Sequence, residues 1–262
     1  MNTSDEWGAA LVPIAQLAGE NFLASPDSGA PLYFDGSDMT LRAAGESFPV
    51  EADNAILYPN RVREAWIGGR LAPEEFEDSL LQYCLLSQFK QVGETNAPAE
   101  SPSVALHLER MSYVTAGLQG RLLDIGSGDP AVSAQFFPSS CEYVGLDPYG
   151  RHPNGITAMA ELLPFSDGSF DVCVFNTSLD HILDYRTALA EARRVLRPGG
   201  VIVISTLIWS AEATLLTDTV HFHHFRESDL HAALGPTLTK LFRYPDPKGL
   251  SHRNGLYIVA EV

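Results

Sequence analysis

Two carboxylates bracket a pair of glycines in the stretches RLLDIGSGDPAV and YVGLDP: Asp124, Gly126, Gly128 and Asp147. Glycines at this spacing let a backbone turn approach a ligand, and an acid ending the next strand can accept both hydroxyls of a ribose. Gly126-x-Gly128-x-x-Ala131 formally fits the GxGxxG/A turn that holds dinucleotides. Two details point elsewhere. Asp124 puts a carboxylate beside the turn, where it can receive a ligand ammonium that dinucleotides lack. Asp129-Pro130 closes the helix start to phosphate, since proline has no N–H and Asp129 brings negative charge. A ligand with adenine, ribose and a cation but no phosphate suits these residues. S-adenosylmethionine has that chemistry.

Histidines form the second set. His181 follows Asp180 in TSLDHILD, and His221, His223 and His224 lie in HFHHF, ahead of the helix-like RESDLHAAL. His181, His223 and His224 are the candidates for binding an acceptor or taking its proton, because imidazole titrates near neutrality. A base is needed only where the acceptor is a poorly ionised hydroxyl or a protonated amine. In an extended segment His221 and His223 would share a face, but no third ligand is evident and no metal is expected. Trp209 is expected to line the same region.

These residues need a frame to position them. From Gly120 onward the apolar runs LLDI, YVGL, FDVCVF, VIVIST and LYIVAEV alternate with helix-like segments, notably 185–196. That alternation predicts an α/β sheet with helices on both faces. The first 116 residues differ in texture. Over 24–60, short apolar pieces are broken by Pro, Gly, Asp and Ser, which predicts a small β-rich unit. Pro73-Glu74-Glu75 then opens a predicted helix over 73–91, with Phe76, Leu80, Tyr83 and Phe89 near helical spacing. A linker-like stretch at 93–103 leads to a second predicted helix over 103–117.

Composition narrows the function. With 33 acidic against 17 basic residues and a net charge of −16, the surface repels phosphate backbones, so nucleic acid is disfavoured as a substrate. No long apolar run and no basic leader are present, so neither a membrane span nor a secretory signal is expected. The three cysteines, Cys84, Cys141 and Cys173, are far apart and form no CxxC, which fits a reduced, cytoplasmic protein.

Taken together, LLDIGSGDP, YVGLDP, AELLPFSDGSFDVCVFNTSLDHILD and ALAEARRVLRPGG resemble, in order and spacing, the class I S-adenosylmethionine-dependent methyltransferases. The likeness covers roughly 118–262 and is to the subgroup that includes many small-molecule methyltransferases. It implies a Rossmann-like seven-stranded α/β sheet with its last strand antiparallel, helices on both faces, and a small N-terminal β/α cap unit. Residues 1–116 would form the cap and substrate-recognition region, and 117–262 the cofactor-binding domain. By resemblance, Asp124, Gly126, Ser127 and Gly128 would line the methionine end of the cofactor and Asp147 its ribose. Met159, Ala160 and Glu161 would lie at the adenine, and Asn176 would face the methionine moiety.

The chain departs from the family pattern in three places. Pro130 stands where glycine is frequent, so a tighter turn is expected. Met159 replaces an acid that contacts the adenine amino group, and the short 148–158 segment leaves no room for the helix usual there. RAAGESFPVEADNAILYPN resembles the end of a zinc-ribbon-like module without its cysteines, so no metal is expected at 24–60. The family implies methyl transfer to an O or N atom of a small molecule, such as a sugar or secondary metabolite. An RNA methyltransferase fits the layout but not the charge. A dehydrogenase fits only the glycine turn, and a non-catalytic protein binding S-adenosylmethionine or S-adenosylhomocysteine is suggested by Pro130 and Met159.

Overall fold

A computed structural model of the chain describes residues 7–60, 102–148, 152–210, 221–246 and 252–262. The helix predicted over 73–91 and most of the linker at 93–103 lie outside the described residues.

The apolar runs become β6 (Gly120–Ile125), β7 (Cys141–Leu146), β9 (Phe170–Asn176), β10 (Leu196–Trp209) and β12 (Arg253–Glu261). Strands buried on both faces carry continuous apolar runs, as these do. With the three-residue β8 (Gly155–Thr157) and the edge strand β11 (Leu238–Pro245), they align in the order β8-β7-β6-β9-β10-β12-β11. β12 runs antiparallel to both β10 and β11, and the other six all run in one direction. The reversed last strand is as expected, here within a sheet of 12 strands.

The sheet does not stop at β8. The N-terminal hairpins β2 (Tyr33–Asp35), β3 (Thr40–Ala43), β4 (Glu46–Glu51) and β5 (Asn54–Ile56) continue it, through a parallel pairing of Ala55 with Ile156 and Ile56 with Thr157. β1 (Ala10–Leu11) pairs with the first half of β7, while β8 takes its second half. One core cluster accordingly joins Leu17, Leu41, Phe48 and Leu57 to Leu123, Val144 and Phe175. Residues on both sides of position 116 share that core.

Helices cover both faces. On one, α2 (Pro102–Thr115) buries Met111 and Val114 against Leu122, Tyr143 and Val259. On the other lie α1 (Ile14–Gly19), α4 (Tyr185–Val195) and α5 (Glu227–Leu234). α4 is capped by Asp184, whose side chain accepts from the Thr187 N–H at 3.1 Å, and it buries Ala188, Leu189, Ala192 and Val195. Helix α3 is only Pro130–Ser133, extended by a 3-10 turn at Ala134–Phe136. Among the described residues of 147–159 there is no helix, as the short segment predicts.

Candidate functional site

The glycine turn leaves the end of β6 and consumes its own donors. The amides of Gly126 and Ser127 donate to Leu146 O at 2.8 and 3.0 Å, and that of Gly128 donates to Asp147 Oδ2 at 3.0 Å. Asp129 caps α3, accepting from the Ala131 N–H at 3.0 Å, and Pro130 follows as the first helical residue. A phosphate therefore meets no open helix start. Pro130 is buried against β7 and β8: a Cβ on Gly145 would lie 2.9 Å from its ring, and one on Gly155 would lie 3.3 Å away.

The two glycines do different work. Gly126 has φ +84° and meets Ser178, whose Oγ donates to Ile125 O. Gly128, at φ +58°, has nothing within 4 Å of where its Cβ would be, so this is the point where a ligand can come close to the backbone.

Asp124 is fully buried. The Tyr143 hydroxyl donates to its Oδ2 at 2.7 Å, while Oδ1 has no hydrogen-bond partner among the described residues. Burial raises its carboxyl to about 7; the Tyr143 hydrogen bond opposes the rise and the neighbouring Asp147 charge adds to it. A buried, half-satisfied carboxylate suits an ammonium. Asp147 ends β7 half-buried, with one oxygen on the turn.

The segment expected at the adenine is set by α4. Arg194 donates to Leu163 O and Phe165 O at 2.9 and 2.8 Å, and the Leu163 N–H donates to Glu191 Oε2 at 2.9 Å. This clamp fixes the segment that begins Met159-Ala160-Glu161. Met159 and Ala160 are buried. Glu161 accepts from the Asp184 N–H at 3.4 Å, and burial pushes its carboxyl upward. The N-terminal hairpins border this end of the site. Asn54 Nδ2 donates to His152 O at 3.0 Å and its Oδ1 accepts from Thr157 Oγ1 at 2.7 Å, while the Tyr58 hydroxyl donates to Pro148 O.

Asn176 ends β9 and is held by residues the sequence does not single out. His107 Nε2 lies 2.7 Å from Asn176 Oδ1, and Nδ1 lies 2.7 Å from the Tyr257 hydroxyl; Ser205 Oγ donates to the same Oδ1 at 3.0 Å. Because Asn176 Oδ1 can only accept, Nε2 carries the proton and Nδ1 accepts from Tyr257. Burial, followed by the nearby Arg110 charge, lowers the imidazole pKa despite the bond to Asn176, consistent with this neutral form. Replacing His107 with Leu should cost about 1–3 kcal/mol by stranding the Asn176 and Tyr257 groups, read as a lower urea midpoint with unchanged slope.

On the other side of Asn176, Asp180 and His181 lie on a 3-10 turn, Leu179–His181. The segment 221–226 is irregular rather than extended, and hooks onto that turn: the amides of Phe222 and His223 donate to Asp180 O at 2.9 and 3.1 Å. The expected pairing of His221 with His223 is thereby replaced. His221 turns to Asp180 and His181, its ring 4.6 Å from that of His181. His223 Nε2 is 2.9 Å from Leu183 O and its ring packs on Tyr185 and Phe225, a structural placement. His224 packs edge-on against Trp209 at 5.1 Å. A cavity of about 440 Å³ opens beside this group, lined by Ile208, Trp209 and Ser210 of the β10 end, Arg226, Glu227 and Ser228 at the start of α5, Arg243 and Asn254. It lies away from the glycine turn, on the histidine side.

Residues 123–204 match the family described as "Methyltransferase domain". An uncharacterized methyltransferase of Mycobacterium sp. (strain KMS) is 35% identical over 98 residues, covering 34% of this chain and 39% of the relative. Another, from Mycobacterium avium (strain 104), is 30% identical over 145 residues, covering 48% and 56%. The chain thus spans about half or less of these relatives. Among solved structures, the Burkholderia thailandensis 1,6-didemethyltoxoflavin-N1-methyltransferase, bound to its substrate and S-adenosylhomocysteine, superposes with a TM-score of 0.52 at 19% identity, covering 73% of this chain and 90% of that one. The [4+2]-cyclase SpnF gives 0.50 at 14% identity, covering 69% and 93%. Both share the fold.

Proposed function

We propose that this chain, whose residues 123–204 match the family described as "Methyltransferase domain", is a class I S-adenosylmethionine-dependent methyltransferase that transfers a methyl group to an O or N atom of a small molecule. The observation that carries this is the turn itself: its donors are closed to phosphate, Gly128 is open, and the Asp124 and Asp147 carboxylates flank it. These residues fit S-adenosylmethionine, which when bound supplies an electrophilic methyl on sulfur. Asp147 would hold the ribose, Asp124 the ammonium, Gly126, Ser127, Gly128 and Asn176 the methionine end, and Met159, Ala160 and Glu161 the adenine.

The chain contributes orientation and exclusion of water, which suffice for most of the acceleration of an in-line displacement. His181, packed near His221, and His224, packed on the cavity-lining Trp209, would bind the acceptor or take its proton. Residues 1–116 act in this reading as the cap and recognition region, with the 24–60 strands reinforcing the adenine edge. The acceptor is a small metabolite and the setting cytoplasmic. The net charge of −16 weighs against RNA. Among the described residues, no helix is long and apolar enough to cross a membrane.

Calorimetry with S-adenosylhomocysteine and with NADH tests the cofactor, and transfer of labelled methyl to a panel of small hydroxylated and amine metabolites tests the reaction. Binding of NADH alone would overturn the assignment, and so would salt-dependent capture and methylation of RNA. Binding of S-adenosylhomocysteine with no transfer would leave a binding protein, as the SpnF fold shows that this scaffold is not tied to one reaction. Asp147→Ala should weaken S-adenosylhomocysteine about 10–100-fold, because both the ribose acceptor and the Gly128 tether are lost.

A further inference from the structure

We propose that Asp180, His181 and His221 form a binding site for a divalent first-row metal ion, and that the metal holds an oxygen of the methyl acceptor. The second half rests on the methyl-transfer reading; the first does not.

One ligand atom from each residue lies within 4.8 Å of the others. His181 Nε2 is 3.8 Å from Asp180 Oδ1, and His221 Nε2 is 3.9 Å from Asp180 Oδ2. These separations are too long for hydrogen bonds, which need about 2.7–3.2 Å. They suit a shared cation. Ligands about 2.0–2.2 Å from zinc stand roughly 3.4 Å apart in a tetrahedron and farther apart when the angle opens. Small side-chain adjustments would close the trio onto one ion.

The backbone fixes the juxtaposition. His221 comes from a segment well separated in sequence from Asp180 and His181, and the two hydrogen bonds to Asp180 O join the segments next to the ligands. The Asp180 carboxylate is 10% exposed and the two imidazoles are the ion-pairing groups against it among the described residues. Two nitrogens and one carboxylate favour zinc, cobalt, manganese or ferrous iron over magnesium or calcium, which prefer all-oxygen sets. Three protein ligands also leave a coordination position open, the hallmark of a metal that meets substrate.

Asp180 and His181 lie on the turn that follows β9, whose last residue is Asn176, placing the trio close in the chain to the proposed methionine end. An acceptor hydroxyl bound there would release its proton to solvent. Its oxygen would form the new C–O bond as the C–S pair returns to sulfur, leaving a neutral thioether.

The test uses the full-length protein, stripped with chelator and titrated with Zn²⁺ and Co²⁺ alone. The expected result is one ion per chain, with a Co²⁺ visible spectrum of nitrogen and oxygen ligation. His221→Ala and Asp180→Asn should each weaken binding at least 100-fold, while His231→Ala, exposed on α5, should leave it unchanged. Circular dichroism melts confirm folding, and His221→Gln replaces His221→Ala if the latter does not fold. Absence of stoichiometric metal in the wild type, or binding insensitive to the His221 and Asp180 changes, would overturn the proposal. Calorimetry with S-adenosylhomocysteine is run separately, so failure of the methyl-transfer reading would leave the metal result standing.

Discussion

Gly126→Ala is expected to lower the melting temperature by about 10 °C. The added Cβ would lie 2.4 Å from Ser178 Cβ, and the position has φ +84°. Left-handed backbone costs an L-residue about 1–2 kcal/mol, and overlap inside a packed turn adds about 2 more. In a domain of this size each kcal/mol shifts the midpoint by about 2–4 °C. Ser178→Gly in the same chain should recover part of the loss, whereas Ser178→Ala should not, because the clashing atom is Cβ. Gly128→Ala makes the contrast. Nothing lies within 4 Å of its Cβ, so stability should fall by only about 1 kcal/mol while cofactor affinity falls much more. Thermal melts set against calorimetry with S-adenosylhomocysteine distinguish the two; equal stability losses would contradict the geometry.

Asp124→Asn should separate stability from binding in opposite directions. The carboxyl is raised from 3.8 to about 7 in the folded chain, so its ionisation opposes folding. The stability it contributes is full below pH 3.8, declines as pH rises toward 7, and is level above that. Removing the ionisable group should therefore stabilise the unliganded protein at pH 8, by up to about 4 kcal/mol, and change little at pH 3.5. The same change should weaken S-adenosylmethionine about 10–100-fold near neutrality, through loss of a charged hydrogen bond. In the wild type, affinity should fall about eightfold from pH 7.5 to pH 6 as Asp124 gains its proton. Above about pH 8 the ligand amine begins to lose its own. Calorimetry across that range in the Asn variant should show no step near 7.

The central strands and the turn were legible because their signals are local. FDVCVF and VIVIST are continuous apolar runs, as strands buried on both faces require. Asp129-Pro130 announces a capped, phosphate-closed helix start by residue type alone. What the sequence hid is tertiary. β5 and β8 are three residues each and carry no period, so nothing marks them as partners. His107 is one polar residue on α2, 69 positions from the Asn176 it orients. His221 and His223 invite a period-2 reading that holds only in a strand, and here the backbone hooks onto Asp180 O instead. The third ligand of the trio was therefore invisible.

The hairpin extension of the sheet has a consequence for the order in which the molecule comes together. Asn54 meets Thr157 across 103 residues of chain, and Tyr58 meets Pro148 across 90, whereas β6 and β7 close over about 20. Long closures cost more entropy and form later, and regions held by few contacts open first. The β5–β8 edge, where the adenine is proposed to lie, is thus the last part of the site to be erected and the first to give way. A ligand that reaches from Gly128 and Asp147 to that edge would act as a clasp, fastening the N-terminal hairpins to strands a hundred residues further along the chain.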